Sequence, residues 1–432
     1  MMKLLILLIL TIVLLPQLIF AESEYSFNLD EIKKKSYSFG GYFEARPVLL
    51  GFDKDAAFYK LKLYNKDEGA TGEEHNAAVQ LNGSYEKGIV KLYAKINADL
   101  QQSYFGWSDT TSVFEGYLSL KPSSSFTINA GKKTLKWGKG YAWTPAAFVD
   151  RTKNPDDPDL ALEGFISLSA DYIKSYSGAL KTISFTPILI PVYDDVNDDF
   201  GETDHVNCAG KLYLLLYDTD IDFMVLAAGS KTARFGFDFS RNITSNFEIH
   251  GEFAFINNFE KKFISSAGDT FIKEYDAKSY LFGIRYLTEG DTTFIIEYYH
   301  NDTGFTDGEM EDYFSFINTA YETYISSGND SQLKRALSLT DGNYGKVNSM
   351  RDYFYARVSQ KEPFDILYFT PSIAGIVNIN DKSFSISPEI MYTGITNLEL
   401  RLKTSFLSGQ RNSEYGEKQN DYRAELRVRY YF

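Results

Sequence analysis

A single cysteine, Cys208, occurs in 432 residues, so no intramolecular disulfide can staple this chain. A lone thiol of this kind reads as a small apolar residue, buried or facing lipid. The four histidines, His75, His205, His250 and His300, are scattered without metal-ligand spacing. HExxH, GxSxG and CxxC are absent. Gly131-Lys132-Lys133-Thr134 has the end of a phosphate loop, but Phe126 stands where its first glycine is required. No enzyme signature is therefore present. Beyond Phe20 no second run of about 18 apolar residues exists, and mean hydropathy is −0.27, which excludes a membrane-spanning helical bundle. Positive charge is scarce, with 44 Lys and Arg against 58 Asp and Glu and a net charge of −14, and this excludes nucleic acid as a partner. Linkers and low-complexity stretches are also missing, so one large unit is expected.

What the chain does have is aromatics, 32 Tyr and 34 Phe, an excess that suits girdles at two membrane interfaces. It opens with Lys3 and the apolar run 4–20, followed by small Ala21 and polar Glu22-Ser23. Residues 1–21 read as a cleaved secretory signal peptide and 22–35 as a short lead-in, too short for a plug domain. At the other end Tyr422, Ala424, Leu426, Val428, Tyr430 and Phe432 alternate with Arg423, Glu425, Arg427, Arg429 and Tyr431. One face suits lipid and the other water. The segment resembles the closing strand of a Gram-negative outer-membrane β-barrel. That resemblance implies that Phe432 is the signal read by the barrel-assembly machinery, and that outer-membrane lipid and lipopolysaccharide surround the protein.

Alternating segments recur from residue 36 to 432, and their connections fall into two length classes. Short links occur at 86–88, 122–125, 175–178, 218–220, 241–246, 288–291, 361–365 and 393–397. Longer ones lie at 50–75, 104–111, 138–160, 194–206, 257–274, 301–348 and 408–419, with tight links near 230 and 379. The fold class predicted is all-β, a transmembrane antiparallel up-and-down barrel over 36–432 with about 18 strands. Sixteen is the alternative, because the first outer connection contains Phe58–Leu63, which itself reads as extended.

A charged residue facing lipid at mid-depth costs roughly 2–4 kcal/mol, so the charges that alternate with apolar residues point inward. This parity draws a basic wall of Arg46, Lys91, Lys95, Arg401, Lys403, Arg423, Arg427 and Arg429. Opposite it stands an acidic wall of Glu115, Glu248, Glu252 and Glu297. Such a transverse field favours anions near the basic wall. Cross-strand ion pairing that only stiffens the barrel is the competing interpretation.

Three connections stand out. Residues 135–159, with Trp137, Gly138, Lys139, Trp143, Arg151 and Lys153, contain too much Gly and Pro for a strand and too much apolar surface for a loop left in water. In residue type and position the segment resembles the Trp-Gly constricting segments of porin-like barrels, including alginate-export and related substrate-selective families. The resemblance implies a loop folded inward, with Trp137, Lys139, Trp143, Arg151 and Lys153 at the narrowest part of a pore. In 301–348, Met310, Tyr313, Phe314, Ile317, Tyr321, Tyr324 and Ile325 recur at helical spacing, predicting a short amphipathic helix over the mouth. Asp195, Asn197 and Asp199 open like an EF-hand loop, but Phe200 and Val206 break the pattern. A solvated acidic loop, or loose Ca2+ binding, is the expectation there. The function expected is a channel for passive passage of small hydrophilic, anionic solutes, with no cofactor. The alternative is a structural barrel, an adhesin or scaffold, whose outer loops carry function.

Overall fold

The computed structural model describes residues 35–432 except 67, so the signal peptide and nearly all of the lead-in lie outside the described residues. Eighteen strands are present among the described residues. The first six are β1 Tyr37–Phe52, β2 Thr71–Lys87, β3 Val90–Ser103, β4 Gly106–Ser123, β5 Phe126–Lys133 and β6 Phe165–Ser175. Next come β7 Leu180–Val192, β8 His205–Leu216, β9 Thr219–Leu226, β10 Arg234–Thr244, β11 Phe247–Ile264 and β12 Thr270–Leu287. The last are β13 Thr292–Asn301, β14 Asp352–Gln360, β15 Phe369–Asn378, β16 Phe384–Ile395, β17 Leu398–Ser408 and β18 Asn420–Tyr431. Each pairs antiparallel with its chain neighbours, and β1 pairs with β18 to close the sheet.

The two-residue period explains the wall. On β3, Leu92, Ile96 and Leu100 are exposed on the outer surface while Asn97 between them is buried. Cys208 likewise lies exposed beside exposed Val206 and buried Asn207, on the lipid side. At the seam the backbone groups of Gly41 and Phe432 exchange two hydrogen bonds of 3.1 Å. The Phe432 ring lies 5.1 Å from that of Phe43, so the terminal aromatic fastens the closing edge. With no edge strand left open, every wall amide can be satisfied within the sheet.

The strand count and both classes of connection match expectation, with three local differences. The segment 104–111 is a two-residue turn, because β4 already begins at Gly106. The segment 257–274 is mostly strand: a bulge between Ile256 and Phe259 lets β11 and β12 continue as a hairpin that leans over the mouth. The third difference is Ala57–Leu63, which forms helix α1 and not a strand. Its alternating Lys60 and Lys62 mimic a strand, but the helix turns Phe58 and Leu61 into one buried cluster and Tyr59 and Leu63 into another. Tertiary burial overrides the local pattern.

The predicted mouth helix is longer than expected. Helix α2, Asp307–Ser327, starts in a capping box of Thr306 and Glu309 and ends at left-handed Gly328, and α3, Ser331–Ser338, comes after it. Together with α1 and the β11–β12 hairpin they bury Phe58, Phe263, Phe305, Tyr313, Phe314 and Tyr344 in one cluster. The Tyr344 ring stacks between Phe305 at 4.0 Å and Tyr313 at 4.1 Å. Each fully buried side chain of this size contributes roughly 1.5–3 kcal/mol, so the long-loop end carries a packed cap and not loose coil.

Candidate functional site

The connection between β5 and β6, residues 134–164, leaves the wall and enters the barrel. Asp150 starts the turn by accepting hydrogen bonds from the amides of Leu135 at 2.8 Å, Lys136 at 3.1 Å and Trp137 at 2.8 Å. Two glycines let the backbone pass through spaces too small for a side chain. Gly138 has φ +91°, and a Cβ there would come within 2.9 Å of Glu252 Oε1. One on Gly140 would collide with the Trp143 carbonyl oxygen. The backbone can therefore approach two carboxylates of the opposite wall. Glu252 on β11 accepts from the amides of Lys139 at 2.6 Å, Gly140 and Ala146 at 3.2 Å. Glu297 on β13 accepts from those of Tyr141 and of Ala142, the latter at 2.8 Å, and lies 2.9 Å from His250 Nε2.

This changes the role expected of the acidic wall. Glu252 and Glu297 do point inward, but they are 3% and 0% exposed and fully engaged by loop amides, so they face protein and not an open lumen. Glu115 pairs with Lys95 at 3.3 Å and accepts from Thr134 N, at the root of the same loop. Glu248 accepts from the Ser240 hydroxyl at 3.0 Å nearer the short-turn end. The four acids thus form no continuous face.

The five residues expected at the constriction are also redistributed. Trp137 packs with Ala146, Phe148, Ile190 and Met224 against the wall. Trp143 stacks on Tyr299 at 5.1 Å and donates from Nε1 to Asn348 at 3.4 Å. Lys153 donates to the Gly140 carbonyl at 2.7 Å, Lys139 pairs with Asp222 at 2.9 Å, and Arg151 pairs with Asp199 and lies over the Phe165 ring. All five hold the loop in place. The part of the loop that reaches across is its acidic tip, Asn154–Asp159, where Pro155 and Pro158 fix the turn and three aspartates face the basic wall.

There the charges interleave. Arg427 is 2.8 Å from Asp157 and 2.9 Å from Glu425, and Arg429 is 2.6 Å from Glu44. Arg423 reaches Glu425 at 3.0 Å, Arg401 reaches Glu399 at 3.4 Å and Asp157 at 3.8 Å, and Arg46 lies 3.9 Å from Glu44. Lys403 donates to the backbone carbonyl of Asp156, and Lys91 lies over the Tyr93 ring at 6.0 Å. Arg357, which strand parity did not single out, faces Asp159 at 3.7 Å and Glu389 at 3.9 Å. A cavity of 260 Å³ opens between the tip and this wall, bordered by Arg46, Lys403, Lys418, Arg423 and Arg427 and by Asp156, Asp157 and Glu425. Of the cations bordering it, Arg46, Arg423 and Arg427 each have a carboxylate within 4 Å.

Strand parity cannot reveal the tip acids, because they lie on no strand. Two prolines flanking Asp156-Asp157 in a segment expected inside a barrel were the available signal. In the 194–206 loop two of the three residues of the EF-like opening are held by protein. Asn197 ties Ile166 and Pro191 through its side chain, Asp199 pairs with Arg151, and Phe200 is buried beneath. Among the described residues no group of three or more His, Cys, Asp or Glu is arranged to hold a metal ion.

No family model matches the chain, and no curated protein matches it. Solved structures do. OccK5 (OpdH) of Pseudomonas aeruginosa matches with a TM-score of 0.51 at 13% identity, over 91% of this chain and 98% of that one. OccK11 (OpdR) of the same organism gives 0.50 at 10% identity, over 91% and 96%. OccAB3 of Acinetobacter baumannii gives 0.50 at 10%, over 92% and 99%. At these identities the likeness is one of fold alone.

Proposed function

We propose that the protein is a channel of the Gram-negative outer membrane, exported by the signal peptide 1–21, through which small hydrophilic and preferentially anionic solutes pass passively. It acts without a cofactor and is not an enzyme. The short turns then face the periplasm and the packed cap faces outward. The observation that carries this reading is the cavity of 260 Å³ at the loop tip, where five cationic side chains meet three acids. An anion entering there replaces carboxylates already bound to Arg427 and Arg423, so entry requires an exchange of partners and not stripping of a bare charge. The pairing of Arg401, Arg427 and Arg429 moderates the expected field, since each sits beside at least one carboxylate.

Reconstitution into a planar bilayer under a salt gradient tests the reading. Discrete conductance with a reversal potential on the anion side is expected. A folded barrel that stays silent would return the function to its outer loops, as an adhesin or scaffold. Phe432 carries the assembly part of the proposal: Phe432→Ser is expected to lower outer-membrane levels and leave the chain in the periplasm, which fractionation reads directly. Normal levels would remove the terminal aromatic as the signal read by the assembly machinery.

A further inference from the structure

Seven of the eight connections at the short-turn end have two to four residues, as at Ser124-Ser125, Ser245-Asn246 and Thr396-Asn397. The eighth, between β14 and β15, has eight residues, Lys361–Tyr368. It exposes four large apolar side chains in close succession: Phe364 is 93% exposed, Ile366 48%, Leu367 63% and Tyr368 55%. None of the other seven carries such a cluster.

The turn is built to present them. Glu362, Phe364, Asp365 and Tyr368 all have φ between 50° and 62°, a left-handed backbone that residues with a side chain rarely adopt. Hydrogen bonds hold that backbone. Glu362 N donates to Phe369 O at 2.8 Å, Tyr368 N donates to the Glu362 carboxylate at 2.9 Å, and Thr393 N of β16 donates to Tyr368 O at 3.1 Å. An unusual backbone maintained by several bonds points to a purpose for the outward Phe364. Pro363, by contrast, is buried within the turn.

From this geometry we infer that the 361–368 turn is a membrane wedge, which seats Phe364, Ile366, Leu367 and Tyr368 in the headgroup and acyl boundary of the lipid leaflet on its side. The inference goes beyond the channel reading and depends only on the barrel spanning a membrane. Continuity with the lipid-facing wall identifies the occupant. Ile373 on β15, Ile390 and Ile395 on β16 and Leu402 on β17 are all exposed on the outer surface, and the turn extends that apolar strip past the strand ends. Lys361 before the cluster and Asp365 within it are exposed, which suits the charged headgroup layer. Aromatic and aliphatic side chains at this depth gain apolar contact while the backbone stays hydrated. The consequence is an asymmetric anchor on one sector of the barrel rim, β14 to β16.

Site-directed spin labelling tests it. In a Cys208→Ser background, Phe364→Cys and Leu367→Cys are labelled separately, and the full barrel is reconstituted in phosphatidylethanolamine–phosphatidylglycerol vesicles. Ile373→Cys serves as the lipid control and Ser124→Cys as the aqueous-turn control. Labels at 364 and 367 are expected to collide with oxygen several-fold more than with a water-soluble nickel chelate, as at position 373. A ratio matching Ser124→Cys overturns the wedge by placing the turn in water. Exclusion of both reagents overturns it in favour of a protein contact, such as a second copy of the chain. Heat-modifiable migration on a gel confirms folding, and using two positions guards against one substitution disturbing the turn.

Discussion

The two charged walls obey the same parity rule and come to opposite ends. Glu252 and Glu297 enter the barrel and are covered at once by the backbone of the 134–164 loop. Arg401, Arg423 and Arg427 enter from the other side and keep a cavity in front of two of them. Inward direction is a property of the strand, whereas exposure to a solute depends on what else has been folded into the lumen. The acids bind five main-chain amides, which cannot leave without the loop. The arginines bind side-chain carboxylates, which can swing aside. One wall is an anchor, and the other is, on the proposed channel reading, an exchange surface.

The largest expected effect comes from removing the anchor. Glu252→Ala with Glu297→Ala leaves five buried amides without an acceptor, at about 1–3 kcal/mol each, enough to unseat the loop. Single-channel conductance is expected to rise several-fold, with a lower thermal midpoint. Unchanged conductance in a folded double variant would mean that the carboxylates do not hold the constriction.

Next comes the opposite wall. Replacing Arg401, Arg427 and Arg429 together by Gln takes from Glu399 its arginine and leaves Glu44 and Glu425 with one each, Arg46 and Arg423, so the reversal potential is expected to move toward cation preference. The shift grows at low salt, where the Debye length of about 30 Å at 0.01 M spans the lumen. A preference that stays put would reduce this ladder to structural ion pairing. A smaller and opposite shift is expected of Asp157→Asn, which frees Arg427 from its partner in the loop but leaves Glu425 beside it. If anion preference does not increase, the tip does not compete with solute for that guanidinium.

The smallest effect concerns the cap. Glu414 is buried between the outer loops, accepting from Ser349 N at 2.9 Å, Tyr353 OH at 2.6 Å and Asn378 Nδ2 at 2.8 Å. Burial raises its carboxyl above the ordinary value, outweighing Lys418 and these donors, while Asp381 adds to the rise. A raised folded value means that the proton is bound more tightly in the folded state. Its contribution is therefore complete below the ordinary carboxyl range near 4.5 and is lost as pH climbs through the raised value. Limited proteolysis of the outer loops is expected to slow modestly as pH falls from neutral toward that range, and Glu414→Gln is expected to flatten the trend. A trend of the opposite sign would show that the carboxylate form holds the cap.

Eighteen strands were legible because lipid on one side and water on the other impose a period of two that no packing can hide. Helix α1 was not, since a short segment with Lys at alternate positions fits a strand until its burial partners are known. Nor were the anchors. The glutamate that binds Lys139 N lies 113 residues away, and that contact joins a side chain to a backbone amide, which leaves no mark in the identity of Lys139. Trp137 and Trp143 are expected at a constriction and are found packed against the wall, because an aromatic pressed between loop and wall has the same letter as one lining a pore.

The order of the chain gives the inserted loop a timetable. Residues 134–164 emerge with the first third of the barrel, yet Glu252 and Glu297 sit on strands that come much later, across separations of 113 and 155 residues for the Lys139 and Ala142 bonds. Long closures of this kind carry an entropic cost that local pairing must first offset. The loop can seat only when β11 and β13 have joined the wall, and Trp143 can meet Asn348 only after the mouth segment has folded in turn. Seating of the loop is thus expected to come late in maturation, after the early strands are already in place.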